Sequence, residues 1–209
     1  MTKSKNPHND FLFEGFHEDR IVEQVKLSEY RRNRTVYIDD EITTNVATRV
    51  EYMLEQIARY DREDGKNPAD CEPIILKINS PGGDVYSTMS IISCIESLKR
   101  EGFTIHTIAL GLAMSGAFKI FISGSKRFCQ KNTHLMCHQP SSFEYGFSSY
   151  IDKERNTEVI KSIWQKLKDI IVEYTIISYE QLDDITEKNK DWFMWAEEAY
   201  TLKAVDEII

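Results

Sequence analysis

The chain has only four cysteines, Cys71, Cys94, Cys129 and Cys137, and no two of them stand in a C-x-x-C pair, which excludes the redox and metal motifs built on that spacing. Long apolar runs are missing too, so no segment reads as a membrane span. Met1-Thr2-Lys3-Ser4-Lys5 is not followed by the apolar core of a signal peptide, and the expected compartment is a reducing cytoplasm. Basic excess is also absent. Asp and Glu number 34 against 26 Lys and Arg, a formal charge of -8, which argues against a general nucleic-acid binder and against adhesion to an anionic membrane. The 209 residues are 41% hydrophobic and 11% aromatic, enough for one well-buried core, or one core plus a projecting element.

Met1 to Asp10 is polar, whereas Phe11-Leu12-Phe13 and Phe16 form an apolar cluster that a solvated tail does not need. Its cover is either the chain's own core or a neighbouring subunit. Arg34 to Ile38 reads as the first strand, closed by Asp39-Asp40. Val46, Val50, Met53, Leu54 and Ile57 recur at helical spacing, predicting an amphipathic helix from Thr43 to near Tyr60. The charged piece Asp61 to Asp70 is expected to be a solvated surface loop without chemistry. Pro73 to Ile78 is the next strand, running into Asn79-Ser80-Pro81-Gly82-Gly83, a turn whose glycines leave main-chain N–H groups unshielded. Such amides suit an oxyanion or an extended peptide; a plain tight turn is the simpler account. Met89, Ile92, Ile95 and Leu98 mark a second helix, stopped by Lys99-Arg100-Glu101-Gly102. The β-turn-α-β unit then repeats, and right-handed crossovers bring both loops to one end of a mostly parallel sheet.

The second unit centres on Gly111-Leu112-Ala113-Met114-Ser115-Gly116-Ala117-Phe118, small residues around one serine after the strand Thr104 to Leu110 and before the apolar Phe118 to Ile122. A strand-to-helix turn at this place presents a serine with the free N–H groups of a first helical turn behind it, the arrangement a nucleophile needs. A serine that merely caps its own helix is the alternative. Farther on, His138 ends the short apolar strand from Thr133 to Cys137, and a histidine suits the role of general base for a serine hydroxyl because its pKa lies near neutrality. His134 is the local competitor and is expected on the opposite sheet face; His8, His17 and His106 need no special role. Beyond a short strand candidate from Phe143 to Phe147, Ile151, Val159, Ile160, Ile163, Trp164, Leu167, Ile170 and Ile171 form a long helical pattern with more apolar positions than a lone monomer needs. Tyr179 to Ile185 follows as a short helix, and Trp192, Phe193, Met194 and Trp195 read as core.

Taken together, Asn79-Ser80-Pro81-Gly82-Gly83, Met89-Ser90-Ile91, Gly111-x-Ala113-x-Ser115-Gly116-Ala117-Phe118, Lys126-Arg127-Phe128, His138-Gln139-Pro140 and Ala196-Glu197-Glu198-Ala199 stand in the order seen in the proteolytic subunit of the Clp protease. From about the Arg34 strand to the C-terminus the chain resembles that family. The resemblance implies an α/β fold, the crotonase-like ββα superhelix with a mostly parallel sheet and a protruding helical handle, in a single domain over 1–209. Within it, 1–30 is an N-terminal segment or axial loop, 31–140 the head, 141–178 the handle and 179–209 the C-terminal head elements. It also implies a self-compartmentalising serine endopeptidase that cleaves unfolded polypeptides or peptides through an acyl-enzyme. Two heptameric rings stack handle to handle, and an AAA+ unfoldase is the partner; no cofactor, metal, nucleic acid or membrane enters. Residue by residue, Ser115 matches the nucleophile, His138 the general base, Asp191 the aspartate that orients the histidine, and Gly83 and Gly116 the amides of the oxyanion hole.

Departures from the family pattern bear on this assignment. The family reads Ala-Ser-Met-Gly-Ala-Phe at the nucleophile, where this chain reads Ala113-Met114-Ser115-Gly116-Ala117-Phe118. Without a gap, Met114 occupies the nucleophile position and the chain is an inactive ring subunit. With one deletion after the serine, Ser115 keeps its place, and this register is preferred because related membrane-bound signal-peptide peptidases show Ser-Gly-small-aromatic there. Ile75 and Lys77 replace the tyrosines, and Ser97 the phenylalanine, of the pocket that receives the ATPase's docking loops. Asn189-Lys190 replaces an acid-base pair before Asp191, and Lys203 a helix-ending glycine. Besides the inactive subunit, a crotonase-type acyl-thioester enzyme is the competing function, sharing the fold and the oxyanion hole without requiring Ser115, His138 and Asp191 together.

Overall fold

The computed structural model describes residues 32–140 and 150–209, with Val22, Gln24, Val25 and Tyr30 before them; of 150–156 it describes the backbone alone. The Phe11–Phe13 and Phe16 cluster and the Phe143–Phe147 strand lie outside the described residues.

Alternation of apolar side chains builds the sheet. In β2 (Ile74–Ser80) Ile74, Leu76, Ile78 and Ser80 are buried, while in β3 (Ile105–Met114) Ile105, Thr107, Ala109 and Ala113 are. β1 (Thr35–Ile38), β2, β3, β4 (Lys126–Cys129) and β7 (Glu207–Ile208) lie side by side in that order, all parallel. Against the buried face pack α1 (Thr44–Glu63) and α2 (Val85–Glu101), which also touch each other, and α3 (Gly116–Ile122), every residue of which is buried. Gly102 ends α2 in the left-handed conformation at φ 106°, as its C-terminal signal predicts.

β3 runs four residues beyond the expected Leu110, and this extension positions the site. Its first half pairs with β4 through His106–Ala109. Its second half leaves β4 and pairs Leu112, Ala113 and Met114 with His134, Leu135 and Met136 of β5 (His134–Cys137). A register shift between β2 and β3 past Ile78 accompanies the fork, and the Asn79 side chain fills it, its Oδ1 accepting the Leu112 N–H at 3.1 Å. β6 (Trp192–Trp195) then adds antiparallel to β5.

Three expectations change. α1 continues past Tyr60 to Glu63, and Asp61 is not solvated: it is 2% exposed, with Arg34 at 2.6 Å and Lys66 at 3.0 Å. A helix extended by one turn carries that carboxylate under the chain entering β1, where Arg34 awaits it. The 192–195 segment is not uniformly core. Met194 is fully buried, but Phe193 and Trp195 are 47% and 56% exposed, because neighbouring side chains of a strand point to opposite faces. The long apolar pattern belongs to α4 (Tyr150–Tyr174), in which Trp164, Leu167, Ile170 and Ile171 are buried in the core while Val159 is exposed. α5 (Tyr179–Glu187) follows with a full capping box between Ser178 and Gln181, and α6 (Ala196–Thr201) leads to β7. No helix of the described residues is long and apolar enough to cross a membrane.

Candidate active site

Ser115 sits between the end of β3 and the start of α3 with φ 53° and ψ -119°, a conformation that an L-residue adopts at a cost and that persists only where its surroundings hold it. The holding is visible. Its N–H donates to the Met136 carbonyl at 2.9 Å, tying it to β5, and its side chain makes no capping bond to α3. The hydroxyl is turned instead toward β5, where Oγ lies 2.7 Å from His138 Nε2. Met114, the last residue of β3, continues the ladder opposite Met136. Of the exchanged pair, then, the serine faces the histidine.

His138 stands one residue past β5, and its other nitrogen, Nδ1, is 3.1 Å from Asp191 Oδ1. The antiparallel register explains how an aspartate so distant in sequence comes there. His134 pairs with Trp195, Leu135 with Met194, Met136 with Phe193 and Cys137 with Trp192, so the next step of the same register sets His138 opposite Asp191. Gln139 Nε2 donates to Asn189 Oδ1 at 2.9 Å, which ties the two chain segments just outside this pair. Burial, and after it the charge of Lys119, lower the His138 pKa below the ordinary 6.5, against the opposing pull of Asp191. Both favour the neutral imidazole that a base must be.

His134 corrects an expectation. Four residues from His138 along a strand is an even step, which returns to the same face, so the two histidines are not on opposite faces. Distance along the strand separates them instead. The His134 ring stacks on Trp195 and Phe193, with centroids 4.4 and 5.1 Å away.

The turn after β2 closes the other side. Ser80 Oγ donates to the Asp40 carbonyl at 2.6 Å and accepts the Gly82 N–H at 3.1 Å. Gly82 has φ 95°, and a Cβ there would stand 2.6 Å from the Met114 carbonyl oxygen and 2.7 Å from Ser115 Cβ. Gly83, at φ 153°, forms a parallel bridge with Ile42. In that bridge Ile42 donates to the Gly82 carbonyl and Asp84 donates to the Ile42 carbonyl, at 2.7 and 2.8 Å, so the N–H of Gly83 itself points away from Ile42. Gly116 opens α3, where main-chain N–H groups have no acceptor in the helix. Pro81, Gly82, Gly83, Ser115, Gly116 and His138 line one cleft of about 750 Å³. A hydroxyl bonded to a neutral imidazole, beside two glycine amides, is chemistry for attack on a carbonyl and stabilisation of the resulting oxyanion.

One residue of this cleft was not singled out in the sequence. Lys119, within the apolar stretch Phe118 to Ile122, is 2% exposed, lines the cleft, and donates from Nζ to the His138 carbonyl at 3.0 Å. A lysine inside an otherwise apolar helix was the available signal.

Comparison with known proteins extends beyond the site. The chain is 31% identical over 199 residues to the ATP-dependent Clp protease proteolytic subunit 1 of Bacillus cereus, covering 90% of this chain and 95% of that protein. It is 30% identical over 184 residues to the ATP-dependent Clp protease proteolytic subunit of Carsonella ruddii, covering 87% of each. With a chloroplastic relative from Arabidopsis thaliana, ATP-dependent Clp protease proteolytic subunit 6, it shares 29% identity over 180 residues, 85% of this chain and 61% of the relative. Residues 19–209 match the model of the Clp protease family, so strand, turn, strained serine and histidine all fall inside the shared region, and the chain belongs to the Clp protease family as one of its peptidase subunits.

Proposed function

We propose that this protein is a serine endopeptidase of the Clp type, with Ser115 as nucleophile, His138 as general base and Asp191 as the residue that holds the imidazole tautomer. The observation that carries the reading is the 2.7 Å separation of Ser115 Oγ from His138 Nε2, with Asp191 Oδ1 behind Nδ1. His138 takes the hydroxyl proton as Oγ attacks a peptide carbonyl. The N–H groups of Gly83 and Gly116 receive the oxyanion, and the protonated imidazole returns its proton to the leaving amine. Water, deprotonated by the same histidine, then hydrolyses the acyl-enzyme.

The substrate class is unfolded polypeptide or peptide, and the working form is a closed ring, or a pair of rings joined through α4, in the cytoplasm. ATP dependence enters through a separate AAA+ unfoldase. Ile75 and Lys77 at two of the docking positions make that contact differ from the usual aromatic one. A fluorophosphonate probe tests the chemistry: intact protein is labelled once per chain, and Ser115→Ala is not labelled. An assembled, folded protein that resists the probe refutes the reading and leaves an inactive ring subunit.

A further inference from the structure

Lys119 is a cation that serine chemistry does not call for. It lies one helical turn beyond Ser115 in α3, and residues so spaced share a helix face. Burying an ammonium is costly unless a carboxylate or hydrogen bonds offset it. Among the described residues Lys119 has no carboxylate within ion-pair distance; its partners are the His138 carbonyl at 3.0 Å and the Trp164 ring, 5.9 Å from Nζ. An apolar residue would sit at this position at lower cost. The one strong contact of the charge is with the main chain of the histidine, and it is made at the first position past the last paired residue of β5, Cys137 opposite Trp192.

We propose that Lys119 is a positioning residue for His138: its ammonium pins the carbonyl where β5 ends, setting the imidazole between Ser115 and Asp191, and its charge opposes protonation of the ring in the unliganded site. This rests on the reading of Ser115 and His138 as nucleophile and base. Strand pairing orients His138 only up to Cys137, and the next tie, from Gln139 to Asn189, holds a side chain rather than the His138 main chain, so the Lys119 bond is the one that fixes the His138 carbonyl itself. Asp191, half-exposed, works in the opposite electrostatic direction and favours imidazolium. Glu41 and Asp84 stand in the lining of the cleft, and the buried Cys137 thiol, its own pKa raised by burial, faces Lys119. Burial lowers the Lys119 pKa, while a carbonyl acceptor favours its protonated form. The pair of opposed charges keeps the base free before substrate arrives and lets Asp191 support the imidazolium once the serine proton has moved.

The test is the rate of fluorophosphonate labelling of Ser115 between about pH 5 and pH 9, which reports the protonation of the base without a known substrate. Wild type, Lys119→Met and Lys119→Gln are compared: methionine removes donor and charge at similar volume, and glutamine removes the charge but keeps a donor. Both variants should move the acid limb upward by at least about half a pH unit. The plateau should fall about tenfold in Lys119→Met and recover in part in Lys119→Gln. Folded variants whose acid limb coincides with wild type would reduce Lys119 to packing and overturn the proposal. Should neither variant fold, NMR of the Lys119 Nζ in the wild type decides: an ammonium at about pH 7 agrees, and a neutral amine, which carries no charge to oppose protonation of the ring, overturns the proposal. The two measurements also separate the two readings, since wild type that labels at no pH defeats the Ser115 assignment, while the charge state of Lys119 is read by NMR independently of labelling.

Discussion

Asp61 lies in the last turn of α1 beneath the entry to β1, with Arg34 and Lys66 against its two oxygens. Burial raises its pKa, and the hydrogen bonds from Arg34 and then Lys66 more than reverse that, so the carboxyl titrates below its ordinary 3.8. A depressed carboxylate stabilises the fold above its unfolded pKa and loses that contribution as pH falls through the folded one. Asp61→Asn should therefore lower stability at pH 7 by about 2 kcal/mol, because it leaves a partly buried guanidinium without its counter-charge. Urea unfolding at fixed protein concentration measures this, and the gap to wild type should narrow as pH falls below the ordinary 3.8 and the carboxyl is protonated in the folded state too. A loss within about 0.5 kcal/mol at pH 7 would mean the pair behaves as an exposed one.

At the scale of elements, the site is a junction of three chain turns rather than a property of any one. The Ser80–Asp84 turn presses Gly82 against the backbone of Ser115, the fork of β3 brings β5 alongside, and the β5–β6 register delivers Asp191. Gly82→Ala tests the first of these. The new methyl must displace Ser115 or the turn, both held at positive φ, and a shift of about 1 Å in a reacting group is worth about a hundredfold in rate. Labelling of the variant should slow by about that factor while its far-ultraviolet circular dichroism stays that of wild type. Unchanged labelling would mean the turn relaxes without moving the serine.

For the molecule as a whole, the sheet among the described residues is covered by helices on one face, where parallel sheets are usually covered on both. Its helix-covered face is closed, whereas Tyr37, Ile75, Lys77, His106, Ile108 and Phe128 are only half-buried. Phe193 and Trp195 at the edge beyond β5, Val159 on α4, and Ile176 are exposed outright. Apolar surface so distributed suits lateral and handle contacts between identical subunits. Sedimentation at low micromolar concentration should find a large closed oligomer of heptameric rings. Because each chain carries a formal charge of -8, like charges converge on assembly, and raising the salt from about 20 to 200 mM should favour the oligomer through screening. A monomer throughout that range would refute the chamber.

Local sequence determined the elements and where chemistry belongs. The apolar run Pro73 to Ile78 specified β2, helical spacing specified α1 and α2, and the Ser-Pro-Gly-Gly turn and the small residues about Ser115 marked two loops at one end of the sheet, because each of these depends on neighbours within a few residues. The exchange of Met114 and Ser115 could not be resolved that way. Consecutive residues carry no statement of which one faces a histidine more than twenty positions away; pairing of the β3 extension with β5 makes that choice, and with it the strained φ of Ser115. The same holds for Asp61 and Lys119, both charged and both buried. Their burial depends on Arg34 and on the His138 carbonyl, partners that only the tertiary fold brings near, since the energy of a buried charge is set by what surrounds it in space and not by the residues on either side of it in the chain.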